Sequence, residues 1–354
     1  MTDASAPFVP DSPPSPAAAG FVRAESCGHA YAALDLGTNN CRLLVAAPTG
    51  GGGFRVVDSF SRIVRLGEGL ATTGSLADSA MDRASAALRA CTDKLTRRPV
   101  RRLEAVATEA CRRAANGPAF LARIATETGL RLRIISAREE AELAMESCAP
   151  LLGVQDRRAL LFDIGGGSTE IAWIRVPPGG APELIGYVSL PLGVVTLAER
   201  AHQDCFTEHG FCEVVAEVAE HLAEFDRIHR IGQEIRVGGV RLMGTSGTVT
   251  TLAGVAMALP RYRRPLVDGK TLDCAAADLA LGDLFALGRE GLAAHPCVGP
   301  DRVEFVLPGC AVYAAIRRVW PTPRLTVADR GLREGMLTRM IRAERAAPRR
   351  RPLR

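Results

Sequence analysis

The stretch that decides the fold is DIGGGSTE, residues 163–170, where three consecutive glycines stand between two carboxylates. The apolar run RALLF before it and the run IAWIRV after it are both typical of buried strands. Glycine loses more conformational freedom on folding than any other residue, so a run of three needs a reason. A glycine turn between two strands exposes backbone N–H groups without Cβ atoms, and a phosphate can approach them closely.

A second unit of this kind lies near the start of the chain. YAALDLGT (31–38) predicts a buried strand that ends in the turn DLGTNN, and CRLLVAAP (41–48) predicts the strand that leaves it. Strands and helices alternate through the rest of the sequence. We therefore predict an α/β fold of two similar domains that face each other over a phosphate-binding cleft. We place these domains at 29–152 and 153–341.

The two ends of the chain have a different composition. Residues 1–28 are rich in Pro, Ala and Ser, have no signal-peptide pattern, and are predicted to be disordered. Residues 342–354, RAERAAPRRRPLR, hold much of the formal net charge of +5. We interpret them as a solvated basic tail, with contact to an anionic polymer as the alternative.

Composition narrows the class of protein. The chain is 47% hydrophobic and 23% charged, and no apolar run approaches the roughly 20 residues that span a bilayer, so no membrane partner is expected. Aromatic residues make up 5% of the chain and no RNA-binding fingerprint occurs, which argues against nucleic-acid partners, DNA included. The ten cysteines form no CxxC pair, so we expect reduced thiols in a cytoplasmic protein.

Each glycine turn carries groups that suit a metal–phosphate complex. Asp35 and Asp163 each stand at the end of a predicted strand, where carboxylates can hold Mg²⁺ together with phosphate oxygens and water. Ser168 and Thr169 add hydroxyl groups to the second turn, as Thr38 does to the first. Neither turn is a Walker A loop or a Rossmann fingerprint, because GxxxxGK[ST] is absent and GGGSTE opens a strand.

Further residues point to hydrolysis. SAREEAEL (136–143) places Glu139 and Glu140 in the first turn of a helix, where acids also favour the helix dipole. Hydrolysis of a phosphoanhydride needs a group that takes a proton from water, and Glu140 or Glu170 could do this. Arg112 is a candidate phosphate clamp. The turn GTSGTVTTLAG (244–254) enters a helix and either holds another anion or is a plain N-cap.

Together these stretches resemble the exopolyphosphatase/guanosine pentaphosphate phosphatase (Ppx/GppA) family of the actin/Hsp70/sugar-kinase superfamily. The resemblance covers about residues 30–340 and rests on AALDLGTNNCRLLVA, RIVRLGEGL, AVATEACRRAAN, IISAREEAELA, LLFDIGGGSTEIAW, MGTSGTVTTLAG and DRGLREGML, in the order of the family. It implies two actin-like (ribonuclease H-like) domains. It also implies a Mg²⁺-dependent phosphatase, with Mn²⁺ as the alternative ion, that acts on inorganic polyphosphate or pppGpp and forms a homodimer.

The resemblance also assigns roles to single residues. Glu140 is then the catalytic base, and Glu170 orients the water or assists. Asp35 and Asp163 hold the metal directly or through water. The residues that bind phosphate are Gly37, Thr38, Asn39, Arg112, Gly165, Gly166, Gly167, Ser168, Thr169, Ser246 and Gly247.

The sequence departs from the family pattern in places. SAREEA stands where SGxEEA is expected, so Arg138 adds a cation beside the base that can help to hold phosphate. The helical C-terminal extension of longer members is not expected, which bears on processivity. Three alternatives stay open: the same chemistry on pppGpp, a kinase of the superfamily, which the Glu140 helix argues against, and a sensor that binds polyphosphate or an alarmone without cleaving it.

Overall fold

The apolar segment Tyr31–Leu36, which ends at the first glycine turn, forms the central strand of one of two mixed sheets. The computed structural model describes residues 30–50, 53–200 and 204–346. The predicted disordered segment 1–28 and residues 347–354 of the basic tail lie outside the described residues.

The first domain contains a five-stranded sheet of order β3-β2-β1-β4-β5. Its first three strands form an antiparallel meander, and the next two run parallel to β1 because helices connect them. The strands are β1 (Tyr31–Leu36), β2 (Asn40–Pro48), β3 (Phe54–Ile63), β4 (Arg102–Ala107) and β5 (Arg133–Ile134), and the helices are α1 (Leu70–Thr73), α2 (Asp78–Arg97), α3 (Glu109–Arg113), α4 (Gly117–Thr128) and α5 (Ala137–Cys148).

The second domain repeats this plan with a six-stranded sheet of order β10-β11-β9-β6-β7-β8. The strands are β6 (Arg158–Ile164), β7 (Thr169–Arg175), β8 (Glu183–Leu190), β9 (Val240–Thr245), β10 (Thr271–Asp273) and β11 (Arg324–Ala328). The helices are α6 (Val194–Ala198), α7 (Glu208–His229), α8 (Ile231–Val237), α9 (Ser246–Ala256), α10 (Arg264–Val267), α11 (Cys274–Ala286), α12 (Gly288–Ala294), α13 (Val303–Val319) and α14 (Leu332–Ala346).

The two sheets share one topology. In each, three antiparallel strands come first, and the strands that follow lie parallel to the first of the three, except for the short edge strand β10, which is antiparallel to β11. Asp35 near the end of β1 and Asp163 near the end of β6 occupy equivalent positions. This repeat confirms the predicted fold class, an α/β fold of two actin-like domains.

The last helix of the chain returns to the first sheet. Met336 and Met340 of α14 pack in one cluster with Ala33 and Leu44, whereas Ala144 of α5 packs against the second sheet. The two helices cross closely, because a Cβ on Gly335 would lie 2.2 Å from the Leu143 carbonyl oxygen. Helix α14 of the second domain thus covers part of the first sheet, and helix α5 of the first domain covers part of the second sheet.

Several element ends differ from the sequence prediction. The spacing of apolar residues over 75–96 predicts a helix with Ser75 as N-cap, and this start is wrong, because α2 begins at Asp78 after an extended Ala77. The Asn116 side chain accepts from the Leu76 N–H at 2.8 Å and donates to its carbonyl at 3.0 Å, which keeps this segment out of the helix. The segment 118–129 predicts a helix that Gly129 ends, and this end is confirmed, because Gly129 follows α4 with a left-handed φ of 74°.

The C-terminal helix also runs further than the sequence indicates. Residues 342–346, predicted as the start of a solvated basic tail, continue α14. Glu344 accepts a hydrogen bond from the Tyr31 hydroxyl at 2.7 Å, and Arg345 donates to the Thr49 carbonyl at 2.6 Å. These contacts fasten the end of the helix to the first domain.

Two further observations concern the cysteine thiols and the character of the helices. All nine cysteines of the described part of the chain have free thiols, and eight of them are buried. Within the same residues, none of the helices combines the length and the apolar character that crossing a membrane requires.

Candidate active site

A cavity of about 920 Å³ lies where the parallel strands of both sheets end. Asp35 and Thr108 line it from the ends of β1 and β4, and Asp163 and Thr245 line it from the ends of β6 and β9. Because the carboxyl ends of parallel strands meet at one edge of a sheet, the two repeats bring their turns to one place. The cavity contains both glycine turns that the sequence singles out.

The first turn presents free backbone donors to this cavity. Gly37 closes the turn by donating its N–H to the Asn40 carbonyl at 2.9 Å. The N–H groups of Thr38 and Asn39 have no acceptor among the described residues. The Asn39 side-chain oxygen is also buried without a hydrogen bond. This turn therefore offers main-chain donors that a phosphate can satisfy.

The second turn is packed directly against the first. A Cβ on Gly166 would lie 3.2 Å from the Asn39 backbone nitrogen, and one on Gly167 would lie 2.6 Å from the Thr38 hydroxyl oxygen. None of the three glycines of this turn has a positive φ, so backbone conformation alone does not require them. Close approach of the two turns requires Gly166 and Gly167, whereas a Cβ on Gly165 would lie 2.9 Å from the Ser168 carbonyl oxygen within its own turn.

The back of the second turn is held by α6. Val194 donates its N–H to the Gly165 carbonyl at 2.9 Å, and Val195 donates to the Gly166 carbonyl at 2.8 Å. A Cβ on Gly193 would lie 2.5 Å from the carbonyl atoms of Gly166. The carbonyls of the turn thus point to α6, while the N–H groups of Gly166 and Gly167 find no acceptor in the described parts of the chain.

The two strand-end aspartates are suited to a divalent cation. Burial raises the pKa of Asp35 and of Asp163, and the charge of Asp163 raises the pKa of Asp35 further. The Asp35 Oδ1 is buried without a partner, whereas Asp163 Oδ1 accepts from the Ser246 hydroxyl. The described residues contain no group of three or more His, Cys, Asp or Glu side chains with metal-ligand spacing. Two carboxylates completed by water and phosphate oxygens are the coordination that Mg²⁺ accepts and Zn²⁺ disfavours.

Glu140 lies in the first turn of α5, where the Ser136 hydroxyl accepts from the Glu139 N–H at 3.2 Å and caps the helix. Its side chain lines the cavity and is buried. Burial raises its pKa well above the ordinary range, the charge of Glu170 adds to this, and Arg112 opposes it. Arg112 donates to Glu140 Oε2 at 3.2 Å.

Glu170 faces Glu140 from the start of β7. Its Oε1 accepts from the Ser168 hydroxyl at 2.5 Å and from the Ser189 hydroxyl at 3.0 Å. Burial, and then the charge of Asp163, raise its pKa to about 7, although both serines lower it. A carboxyl with this pKa can exchange a proton near neutral pH.

The raised pKa of Glu170 predicts how the metal-free protein responds to pH. In the folded state this carboxyl keeps a proton up to about pH 7, while in the unfolded chain it ionises near 4.5. The folded state therefore binds more protons, and the free energy of unfolding should fall as pH rises from 5 to 8. Urea denaturation in EDTA should show a weaker fall for Glu170→Gln. An identical fall in both proteins would contradict this origin.

The structure adds three cations that the sequence prediction missed. Arg42, Arg302 and Arg333 line the cavity, and none of them forms an ion pair within the described residues. Arg42 is the cross-strand partner of Asp35, and the charges of Arg42 and Arg333 lower the pKa of Asp35 against its burial. The strand alternation of 41–48 could have placed Arg42 beside Asp35, but no sequence signal locates Arg302.

Three predicted phosphate contacts take other positions. Thr169 is fully buried, and its hydroxyl donates to the Leu192 carbonyl at 2.7 Å. Arg112 does not line the cavity, because it binds Glu140, donates to Glu109 at 2.5 Å and donates to the Ile135 carbonyl at 2.7 Å. Arg138 is exposed, donates to Glu142 at 2.9 Å and is not among the residues that line the cavity.

The turn at the start of 244–254, which the sequence predicts to be an anion site or a plain N-cap, also reaches the cavity. Ser246 and Gly247 line it at the start of α9, and Ser246 has a φ of 73°, a left-handed conformation that serine rarely adopts. The Gly247 carbonyl accepts from Arg302 at 2.7 Å. This turn therefore connects the Asp163 carboxylate with one of the cavity's unpaired cations.

The repeated sheets and the paired glycine turns between them define this protein as a two-domain α/β protein of the actin-like class. The chain belongs to the Ppx/GppA phosphatase family, whose model matches residues 44–344. The predicted family resemblance is thereby confirmed.

Solved structures of this family are similar over nearly their whole length. A Ppx/GppA family member from Aquifex aeolicus is 26% identical with a TM-score of 0.74, over 90% of this chain and 99% of that chain. An exopolyphosphatase-like protein is 29% identical with a TM-score of 0.78, over the same shares. An exopolyphosphatase from Cytophaga hutchinsonii, 24% identical with a TM-score of 0.79 over 89% of this chain and 98% of that one, shows the same fold.

Proposed function

We propose that this protein is an exopolyphosphatase, which hydrolyses the terminal phosphoanhydride of inorganic polyphosphate and releases orthophosphate in a Mg²⁺-dependent reaction. One observation carries the proposal: in a single cavity, free N–H groups of two glycine turns and three unpaired arginines face a pair of buried glutamates. Membership of a phosphatase family and similarity to an exopolyphosphatase-like protein support it.

Three side chains have distinct roles in the proposed reaction. The Glu140 carboxylate takes a proton from a water molecule as the water oxygen attacks the terminal phosphorus. The bond from that phosphorus to the bridging oxygen breaks, and the shortened chain leaves with the electron pair. Glu170, fixed by Ser168 and Ser189, orients the water. Arg112 holds Glu140 in position through its guanidinium.

Charge stabilisation is the other requirement of phosphoryl transfer. The turn N–H groups and the cavity arginines offset the negative charge that builds up on the phosphoryl oxygens. Asp35 and Asp163 would hold Mg²⁺, which neutralises phosphate charge when it is bound. Because Arg42 and Arg333 lack carboxylate partners in the described chain, their charges are available to the substrate.

A specific observation favours a second candidate, the 5′-phosphohydrolysis of pppGpp. Ile63, Tyr262 and Phe305 line the same cavity, and the Arg65 guanidinium covers Phe305 at 5.7 Å from the ring centroid. Polyphosphate has no apolar part to place against these side chains, whereas a guanine base can stack on them. A sensor that binds these ligands without cleaving them is the third candidate.

One assay separates these candidates. Purified protein is incubated with Mg²⁺ and, separately, with long-chain polyphosphate, pppGpp and ATP, and the released phosphate is measured. The proposal expects release from polyphosphate and little release from ATP. Release from pppGpp alone would replace the first candidate by the second, and binding without release would support the sensor.

The metal requirement gives a further prediction. EDTA should abolish phosphate release, and added Mg²⁺ should restore it. Asp163→Asn should raise the Mg²⁺ concentration for half-maximal activity by about tenfold or more, the scale of losses at metal sites. Asp301→Asn is the matched control, because Asp301 lines the cavity at an exposed position away from the strand ends. Equal Mg²⁺ dependence in both variants would exclude Asp163 as a ligand.

A further inference from the structure

A third buried glutamate lines the cavity, and the proposed reaction gives it no role. Glu109 begins α3, directly after the end of β4, and its side chain is buried. A Cβ on Gly167 would lie 3.1 Å from the Glu109 Cγ, so this side chain packs against the second glycine turn. Because like charges repel, a carboxylate here opposes the binding of a phosphate to that turn.

Glu109 occupies one edge of the Arg112 guanidinium, which follows it by one turn of α3. The Nε and Nη2 groups of Arg112 donate to Glu109 Oε2 at 3.2 and 2.5 Å. The Nη1 group donates instead to the Ile135 carbonyl at 2.7 Å and to Glu140 at 3.2 Å. A guanidinium can bind a phosphate through two such neighbouring N–H groups. Since Glu109 lines the cavity and Arg112 does not, the carboxylate screens this edge from the cavity.

The contacts around this pair permit Glu109 to leave. Its other oxygen, Oε1, lies 3.8 Å from the Nε of Arg113, an exposed side chain that is a second partner for the carboxylate. Arg112 would keep its hydrogen bonds to the Ile135 carbonyl and to Glu140, because these use Nη1. Exchange of Glu109 for a phosphate therefore needs no change in the contacts that anchor Arg112.

We propose that Glu109 occupies the Nε–Nη2 edge of Arg112 in the ligand-free protein and that a phosphate group must displace it, so that Glu109 lowers the affinity of the cavity for phosphate. This inference rests on the proposed function in taking the ligand to be a phosphate. Glu109 is thus a residue that sets affinity, whereas Glu140 and Glu170 act on the water. Its effect is to ease the departure of orthophosphate, a product of the proposed reaction.

The test is a double-mutant cycle in which calorimetry measures the binding of inorganic phosphate, in EDTA and at constant ionic strength. Glu109→Gln should bind phosphate about tenfold more tightly than the wild type, the scale of one charge-assisted hydrogen bond. Adding Arg112→Gln should remove this gain. Adding Arg113→Gln instead is the matched control, because Arg113 also lies beside Glu109 but is exposed, and the gain should persist within about twofold.

Arg112→Lys covers the case in which Arg112→Gln does not fold, as judged by thermal unfolding. Lysine keeps the charge but lacks the two-donor edge, so it should also remove the gain. Unchanged or weaker phosphate binding in Glu109→Gln would overturn the proposal and leave Glu109 as a support for Arg112. An equal gain with and without Arg112 would also overturn it, because the gain would then come from charge repulsion alone.

The binding cycle is independent of the proposed function, because it involves no turnover. If the wild type releases no phosphate from polyphosphate in Mg²⁺, the proposed function fails, while the cycle still decides the role of Glu109. If neither the wild type nor Glu109→Gln binds inorganic phosphate, the displacement of Glu109 is overturned whatever the enzyme hydrolyses.

Discussion

Replacing Glu140 by glutamine should lower kcat for phosphate release by at least about 10²-fold, the scale of a lost general base. Glutamine keeps the shape of the side chain and can still accept from Arg112, but it cannot take a proton from water. Because burial and Glu170 raise the pKa of Glu140, the neutral amide also removes a charge that the fold disfavours. The variant should therefore unfold at the same temperature as the wild type or a higher one.

Glu139→Gln is the matched control for this experiment. Glu139 is in the same helical turn, but it accepts from Arg133 at 2.6 and 2.7 Å outside the cavity. We expect wild-type turnover from it, with at most a small loss of stability from the exposed ion pair. Wild-type turnover in Glu140→Gln, measured with the same substrate and Mg²⁺ concentration, would remove Glu140 from the mechanism.

Gly193→Ala should have the second large effect, although Gly193 carries no reactive group. Its new Cβ would lie 2.5 Å from the carbonyl carbon and oxygen of Gly166, so α6 and the turn must move apart to reach ordinary contact near 3.4 Å. A displacement of this size in a positioned reaction can cost about 10²-fold in kcat/KM. Overpacking should also lower the free energy of unfolding by about 1–3 kcal/mol.

Gly282→Ala provides the comparison for this substitution. Gly282 is in α11, has no positive φ, and has nothing within 4 Å of its prospective Cβ. Alanine there should leave turnover unchanged and should stabilise the helix by up to about 1 kcal/mol. Unchanged activity and unchanged thermal unfolding in Gly193→Ala would show that the second turn does not depend on its contact with α6.

The fold was readable from the sequence because its signals are local. Buried strands followed by aspartate and glycine occur twice, and this repeat predicts two domains and one cleft. The pairing of Ser168 with Glu170 also follows from nearby positions. The late start of α2 at Asp78 could not be predicted, because it depends on Asn116, 40 residues further along the chain.

The site was predicted less completely, because contacts between elements that are far apart in the sequence place several of its side chains. Asp35, Asp163 and Glu140 end strands or begin helices, so their direction follows from their own elements. Arg112 follows a strand as well, but a partner from another element, Glu140, decides where its guanidinium lies. Arg302 reaches the cavity through the packing of α13, which no local pattern reveals.

Helix α14 covers part of the first sheet, although it is the last helix of the chain to be synthesised. The first domain therefore cannot complete its packing until synthesis has reached the end of α14. Residues of the first sheet, such as Ala33 and Leu44, leave the ribosome early, but the helix that covers them ends at Ala346. At about 5–20 residues per second, the chain between α5 and the end of α14 takes roughly 10–40 s to make. Throughout that time the part of the first sheet that α14 covers stays exposed in the nascent chain, and it is a surface on which a chaperone can bind.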